Sequence, residues 1–308
     1  MSKTVIISGA TGFIGTVLVQ KLVEKNYAVV VLSRNPGKAV ALRNSGAEVV
    51  AWDGQTAQGW GNYAAGAYGI INLAGENIAA GRWTPARKTA ILQSRLAAGR
   101  ALTEAVEKAA QKPRAVIQAS GIGYYGNRGD EVLDEASTAG SGFLSDVALQ
   151  WEKSTGPVEA LGVRRAIIRT GIVLGRKGGF LSRVLLPFRL FTGGYMGSGR
   201  QWLSWVHMED EVGAICFLLE REDARGAFNL SSPQPLTAKD FFAEVGRALD
   251  RPSWLPVPGY ALRMLLGEMA EELILSGQRA LPARLLEAGY AFHYPLARGA
   301  LQNILSGR

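Results

Sequence analysis

Short apolar runs alternate along the chain with stretches whose apolar residues recur at helical spacing. Thr4-Val5-Ile6-Ile7-Ser8 reads as a buried strand, and from Ile14 onward Val17, Leu18, Val19, Leu22 and Val23 mark one face of a helix. The strand pattern returns at Ala28–Leu32, Ala47–Ala51, Ile70–Leu73, Ala115–Ala119 and Ala166–Arg169. Pro85, whose fixed φ suits a first helical turn, opens a long helix with Ile91, Leu92, Leu96, Leu102, Ala105 and Val106 on its apolar face. A further helix is expected from Leu144 to Glu159. Buried strands alternating with helices of this length predict βαβ units and a Rossmann-type, doubly wound parallel sheet.

Past Gly171 the regularity is lost. A Gly-rich section, Gly193 to Gly199, precedes a strand at Trp202–His207, a helix around Asp210 to Glu220 and a strand at Ala227–Leu230. The remainder reads as mostly helical, punctuated by Pro252, Pro256 and Pro258. This divides the chain into an α/β nucleotide-binding domain over residues 1–230 and a small, mainly helical domain over 231–308.

Composition narrows the chemistry. Of 308 residues, 47% are hydrophobic and 19% charged, enough for a packed core. One cysteine, Cys216, excludes an internal disulfide framework, and with only His207 and His293 beside it no Cys/His metal site is expected. No apolar run reaches the ~18 residues needed to cross a bilayer. The stretch from Thr4 to Val19 is broken by Gly9, Gly12 and Gly15 and lacks a small-residue cleavage site, so it reads as strand and turn rather than a leader. A cytoplasmic protein is expected. The net charge of +8, from 34 basic against 26 acidic residues, is scattered and shows no basic block with interleaved aromatics. It favours a small anionic ligand over nucleic acid. Nothing in the chain specifies an oligomeric state.

The first chemical motif lies between the first strand and the first helix. Gly9-Ala10-Thr11-Gly12-Phe13-Ile14-Gly15 gives G-x-x-G-x-x-G. The first glycine permits a tight turn, the second lets a pyrophosphate approach the backbone, and the third lets helix and strand pack closely. The N–H groups that open the helix would then face the phosphates. Three glycines alone would describe any tight turn; the strand before and the amphipathic helix after point to a dinucleotide. The end of the second strand chooses which. NAD-binding proteins usually place an acid there, whereas this chain has Ser33 and Arg34, with Lys38 close behind. A hydroxyl and a guanidinium suit a 2′-phosphate, so NADP(H) is expected. Asp53, after the third strand, is placed to bond the adenine amino group. Leu73, Ala74 and Gly75 close the fourth strand with the backbone free to run beside the adenosine ribose.

Together GATGFIG, LSR, NLAGEN and GIGYYG resemble the extended and atypical short-chain dehydrogenase/reductases. The similarity is to the "epimerase family protein" subgroup, often labelled nucleoside-diphosphate-sugar epimerase. Arg82-Trp83, Ser94-Arg95, Trp151-Glu152, LLPFRL (185–190), GSGRQWLSWVH ending at His207, SGQRALP and LLEAGY extend it over nearly the whole chain. By that resemblance Gly9, Thr11, Gly12, Phe13, Ile14 and Gly15 contact the pyrophosphate, and Ser33 and Arg34 the 2′-phosphate. Leu73 and Ala74 line the adenosine side, Arg95 contacts the cofactor, and Val173 touches its nicotinamide end. Glu76 would orient Arg82 or Arg95.

The same resemblance implies a catalytic Tyr assisted by a Lys four residues later, and here the pattern fails. Alignment on Glu152 puts Leu144 and Ala148 at those positions, and no Y-x-x-x-K occurs anywhere in the chain. The position of the family's serine falls on Gly121, with Ser120 one residue away. Tyr124 and Ser120 are therefore the catalytic candidates, and Tyr125, Gln201, Trp202 and His207 the candidate substrate pocket. Arg128 or Arg95 would have to depress a tyrosine that ordinarily titrates near pH ~10. Two readings stay open. One is an oxidoreductase or epimerase-like enzyme acting on a small carbonyl compound or sugar nucleotide. The other is a catalytically silent NADP(H)-binding sensor or scaffold.

Overall fold

The structure is a computed structural model that describes residues 3–306. Seven parallel strands form its central sheet: β1 (Thr4–Ser8), β2 (Ala28–Ser33), β3 (Glu48–Ala51), β4 (Gly69–Asn72), β5 (Ala115–Gly121), β6 (Arg164–Thr170) and β7 (Gly226–Leu230). Their spatial order is β3-β2-β1-β4-β5-β6-β7. The order reverses between β1 and β4, which opens the crevice where doubly wound sheets take their ligands.

Alternation along each strand builds two cores. Val5, Ile7, Val29, Val31, Ile117 and Ile168 pack against α1 (Phe13–Glu24) on one face. Ile6, Val30, Leu32, Ile70 and Val116 pack against α2 (Pro85–Lys108) on the other. Strands buried on both sides explain why they read as continuous apolar runs. The helix expected over 144–159 is α3 (Phe143–Ser154), followed by a separate turn at Pro157–Ala160. Pro157 supplies no N–H to continue the ladder, so the helix stops before it.

Two elements are not legible in the apolar pattern, and a third begins earlier than expected. Ile172–Leu174 is a short strand paired with Trp205–His207. The helix α4 (Gly179–Arg189) contains Pro187 within its last turn and starts at two glycines. The helix expected near Asp210 begins earlier, as α5 (Met208–Glu220), because His207 caps it. α5 lies on the α1 face, where Val212, Ile215 and Leu219 join that core.

Toward the C-terminus lie α6 (Ala238–Leu249) and α7 (Ala297–Leu305), with shorter helices between them, among them Gly259–Leu266 and Ala283–Glu287. Their core holds Phe241, Phe242, Val245 and Leu301, but also Leu174, Leu181, Phe188 and Trp205 from earlier in the chain. A boundary at residue 230 thus divides the sequence without dividing this core. Among the described residues no helix is long and apolar enough to cross a membrane.

Candidate functional site

Backbone requirements make the glycine turn. Gly9 has φ +72°, and a Cβ there would lie 2.6 Å from the Leu73 carbonyl carbon and oxygen. Gly15 allows no side chain either, since a Cβ would stand 2.5 Å from the Gly9 carbonyl oxygen. Gly12 differs. It has ordinary φ, and a Cβ on it would find only the Gly9 oxygen within 4 Å, at 3.2 Å. The first and third glycines are required by the protein, while the second keeps open the space beside the turn. Gly12 also caps α1 without a side-chain hydrogen bond, and no acid stands in the first turn. Its N–H groups and the dipole face that space uncompensated, as an anion requires. Thr11 is exposed there, and Ile14 is half-buried against the core. The Phe13 ring lies where side chains on Gly175 and Gly179 would collide with it, at 2.9 and 2.7 Å.

At the end of β2, Ser33 is buried and its Oγ accepts the Asn35 N–H at 3.2 Å. The Arg34 side chain is 71% exposed. Asp53 accepts the N–H groups of Gln55 and Thr56 on one oxygen and the Thr56 hydroxyl on the other. What little burial it has acts the other way, but those bonds hold its carboxyl below the usual range. Its first task is thus to shape its own loop.

The exit of β4 is welded to α2. Arg95 Nη1 donates to the carbonyls of Glu76 at 3.1 Å and Ile91 at 2.9 Å, and its guanidinium rests 4.7 Å from the centre of the Trp151 ring. Burial lowers its pKa to about 10 against the pull of Glu76, so it stays charged at neutral pH. Gly75 packs closely beside it, where a Cβ would meet the guanidinium carbon at 2.9 Å. The Glu76 carboxylate, expected on Arg82 or Arg95, instead engages Arg34 at 3.4 Å and Arg87 at 3.2 Å. Leu73 and Ala74 are half-buried against Gly9, and Val173 is buried in its short strand. Beneath these loops Ser8 donates to Asn72 and Asn72 to Gln118, at 2.7 and 3.0 Å, tying the ends of β1, β4 and β5 together.

The carboxyl ends of β5 and β6 carry a buried network. Ser120 donates to Glu152 at 2.7 Å, and Arg169 grips the same carboxylate from Nε and Nη2 at 2.9 and 3.0 Å. Arg169 Nη1 donates to the Tyr125 hydroxyl at 3.1 Å, and that hydroxyl donates to Asn229 at 2.7 Å. Burial works against the Arg169 charge, yet Glu152 holds its pKa above the ordinary guanidinium value. Neither Glu152, Arg169 nor Asn229 was singled out from sequence as chemistry. The available signal was three arginines, 164, 165 and 169, in one buried strand.

This network corrects part of the expected pocket. Tyr125 is 0% exposed and burial pushes its pKa up to about 12, so it lines no open surface and supplies no proton at neutral pH. His207 is 3% exposed; its Nδ1 accepts the Glu209 N–H at 3.1 Å, and burial depresses its pKa. It is a helix cap packed on Tyr294. Gln201 donates to the Met196 and Ile274 carbonyls, and Trp202 donates to Asp130 with Arg279 over its ring. Both join chain segments through their donors, while the Gln201 Oε1 is buried and has no partner among the described residues. Ser120 is buried and spends its proton on Glu152. Tyr124 is half-buried, with Arg169 3.4 Å from its ring centre, and no hydrogen bond among the described residues engages its hydroxyl. Leu144 sits beside it against Gly123, within an apolar cluster that includes Trp83, Phe143 and Val147; Ala148 is buried one turn on.

Residues 5–231 match the family model of the NAD dependent epimerase/dehydratase family. The chain belongs to that family. Residues 257–304 match a second model, described as a domain of unknown function. Among named relatives, the chloroplastic epimerase family protein SDR39U1 homolog of Arabidopsis thaliana is 38% identical, over 98% of this chain and 86% of its own length. Epimerase family protein YfhF of Bacillus subtilis is 37% identical, over 99% of this chain and 98% of its own. The crystal structure of human epimerase family protein SDR39U1 with NADPH superposes with a TM-score of 0.88 at 33% identity, covering 99% of this chain and all of that one. The seven-stranded sheet with its flanking helices and helical C-terminal region is therefore the architecture of this family.

Proposed function

We propose that the chain binds NADP(H) and acts as an atypical short-chain dehydrogenase/reductase on a small carbonyl compound or sugar nucleotide, without the usual Tyr–Lys pair. The observation that carries this is the difference among the three glycines: two are demanded by packing, and Gly12 alone leaves room for a ligand. The NADPH in the human relative supports the same reading.

The residues present fit the cofactor. The turn from Gly9 to Gly15 holds the pyrophosphate with backbone N–H groups, and Arg34 takes the 2′-phosphate. Arg95 holds the β4 exit rigid beside the adenosine, and Val173 closes the nicotinamide end. When bound, the cofactor supplies or accepts a hydride at its nicotinamide ring. Tyr124 carries the free phenol at the carboxyl end of β5, positioned to hold a proton at its hydroxyl oxygen. Leu144 and its apolar neighbours exclude water where the family keeps its tyrosine.

The second reading is a silent NADP(H)-binding sensor or scaffold, favoured by Ser120 and Tyr125 both being spent inside the buried network. Deuteride transfer from 4-deuterated NADPH across a panel of carbonyl compounds and sugar nucleotides separates the two. Label in a product supports the enzyme. Tight NADPH binding by calorimetry with no transfer to any member favours the silent protein, and no binding of either nicotinamide dinucleotide overturns both.

A further inference from the structure

We propose that Arg87 is a second guanidinium for the 2′-phosphate of NADP(H), and that Glu76 is the counter-ion this phosphate displaces; the proposal rests on the NADP(H) reading above. Glu76 lies between two arginines from different parts of the chain, Arg34 on one carboxylate oxygen at 3.4 Å and Arg87 on the other at 3.2 Å. Its backbone is pinned on both sides, the N–H donating to Ser94 Oγ at 3.0 Å and the carbonyl accepting from Arg95 at 3.1 Å. The anchorage of this loop to α2 therefore sets where the carboxylate stands.

Arg87 is oddly placed unless an anion belongs beside it. It sits in the first turn of α2, which holds no acidic residue, at the end where the macrodipole opposes a cation. Its Nη2 donates to the Asn77 carbonyl, while its Nε is shielded from solvent and has no partner among the described residues. One carboxylate thus serves two guanidinium groups, with the buried Arg95 behind them and a donor to spare. A phosphate brings up to two negative charges and three acceptor oxygens, which matches two guanidinium forks better than Glu76 does. A dinucleotide without the phosphate presents a neutral hydroxyl there, which Glu76 accepts. The two arginines then favour NADPH, and Glu76 opposes it by like charge and by competing for them.

Calorimetric titration of the full chain with NADPH, NADH and 2′-AMP at low salt tests this. Arg87→Met, which keeps the apolar stem, is expected to weaken NADPH and 2′-AMP about tenfold while NADH stays within about twofold. Arg87→Lys keeps the charge but not the fork and falls between. Glu76→Gln is expected to tighten NADPH and 2′-AMP about threefold or more. Equal losses for both dinucleotides in Arg87→Met, or no tightening of NADPH in Glu76→Gln, overturn the proposal. If Arg87→Met does not fold, Glu76→Gln decides alone, since it leaves both arginines in place. A wild-type chain that does not prefer NADPH over NADH removes the cofactor reading itself. A preference that Arg34→Ala abolishes and Arg87→Met leaves untouched removes only the role of Arg87.

Discussion

At the carboxyl ends of β1 and β2 the chain clears space: Gly12 leaves the turn open, α1 begins without a side-chain cap, and Arg34 stands in solvent. Across β4, at the ends of β5 and β6, it fills space: Ser120, Glu152, Arg169, Tyr125 and Asn229 satisfy one another out of water. The first region leaves donors open, and the second satisfies its own. One sheet edge thus combines a loop that leaves backbone donors open with a network that closes on itself. Folding stability and cofactor affinity should respond to mutation at opposite ends of this one sheet edge.

The largest expected effect is on stability. Arg169→Met leaves the buried Glu152 carboxylate without its cation, and losing one partner of a buried pair costs about 3–5 kcal/mol. Denaturant unfolding should show that loss, while the folded fraction binds NADPH within about twofold of wild type. A large drop in affinity at unchanged stability would break the division between the two regions.

Within the open region the glycines sharpen the comparison. Gly9→Ala forces a side chain into positive φ and onto the backbone of Leu73, so about 2–4 kcal/mol of destabilisation is expected. Gly12→Ala should change stability by less than about 0.5 kcal/mol yet weaken NADPH about tenfold or more, because its methyl group enters only the space the ligand needs. Thermal melts and calorimetry on the pair would expose a turn that merely packs: both variants would then leave the affinity of folded protein unchanged.

The contrast also explains what the sequence made legible. The glycine turn is a local, backbone-level requirement, settled by φ and clearance within a few residues, so G-x-x-G-x-x-G in its strand–helix setting was readable. So was the arginine at the end of β2. The buried network joins residues 17, 44 and 104 positions apart, and no local pattern links Arg169 to Tyr125 or Tyr125 to Asn229. The burial of Tyr125 and His207 was not legible for that reason: their polar atoms looked free because their partners were distant or belonged to the backbone. α4 was hidden by glycines at its start and Pro187 near its end, although Leu181, Leu185 and Phe188 keep a helical apolar face.

Glu211 sets a pH test of how closed the second region is. It is fully buried, its single partner among the described residues is the Thr170 hydroxyl at 2.8 Å, and its other oxygen has none. Burial raises its pKa from the ordinary 4.5 to about 8. Between these values the folded chain holds a proton that the unfolded chain has lost, so stability falls as pH rises through that window. Each pH unit costs at most about 1.4 kcal/mol. Urea unfolding at several pH values should show this decline, and Glu211→Gln, which cannot ionise, should flatten it. A wild-type profile already flat from pH 5 to 8 would mean that water or a cation reaches the carboxyl and that the region is less sealed than its contacts imply.

The smallest expected effects separate two adjacent tyrosines. Tyr125→Phe strands the Asn229 oxygen and one Arg169 N–H in a buried setting, which should cost about 1–3 kcal/mol. Tyr124→Phe removes a hydroxyl that no described residue engages, so the change should stay within about 0.5 kcal/mol. If both variants lose stability equally, the Tyr124 phenol is structural and the free proton donor assigned to it disappears. If Tyr124→Phe is neutral for folding and for NADPH affinity but abolishes deuteride transfer, this phenol is where the closed region meets the open one. Neutrality in all three measurements leaves the carboxyl ends of β5 and β6 as scaffold alone, and the chain as a holder of its cofactor.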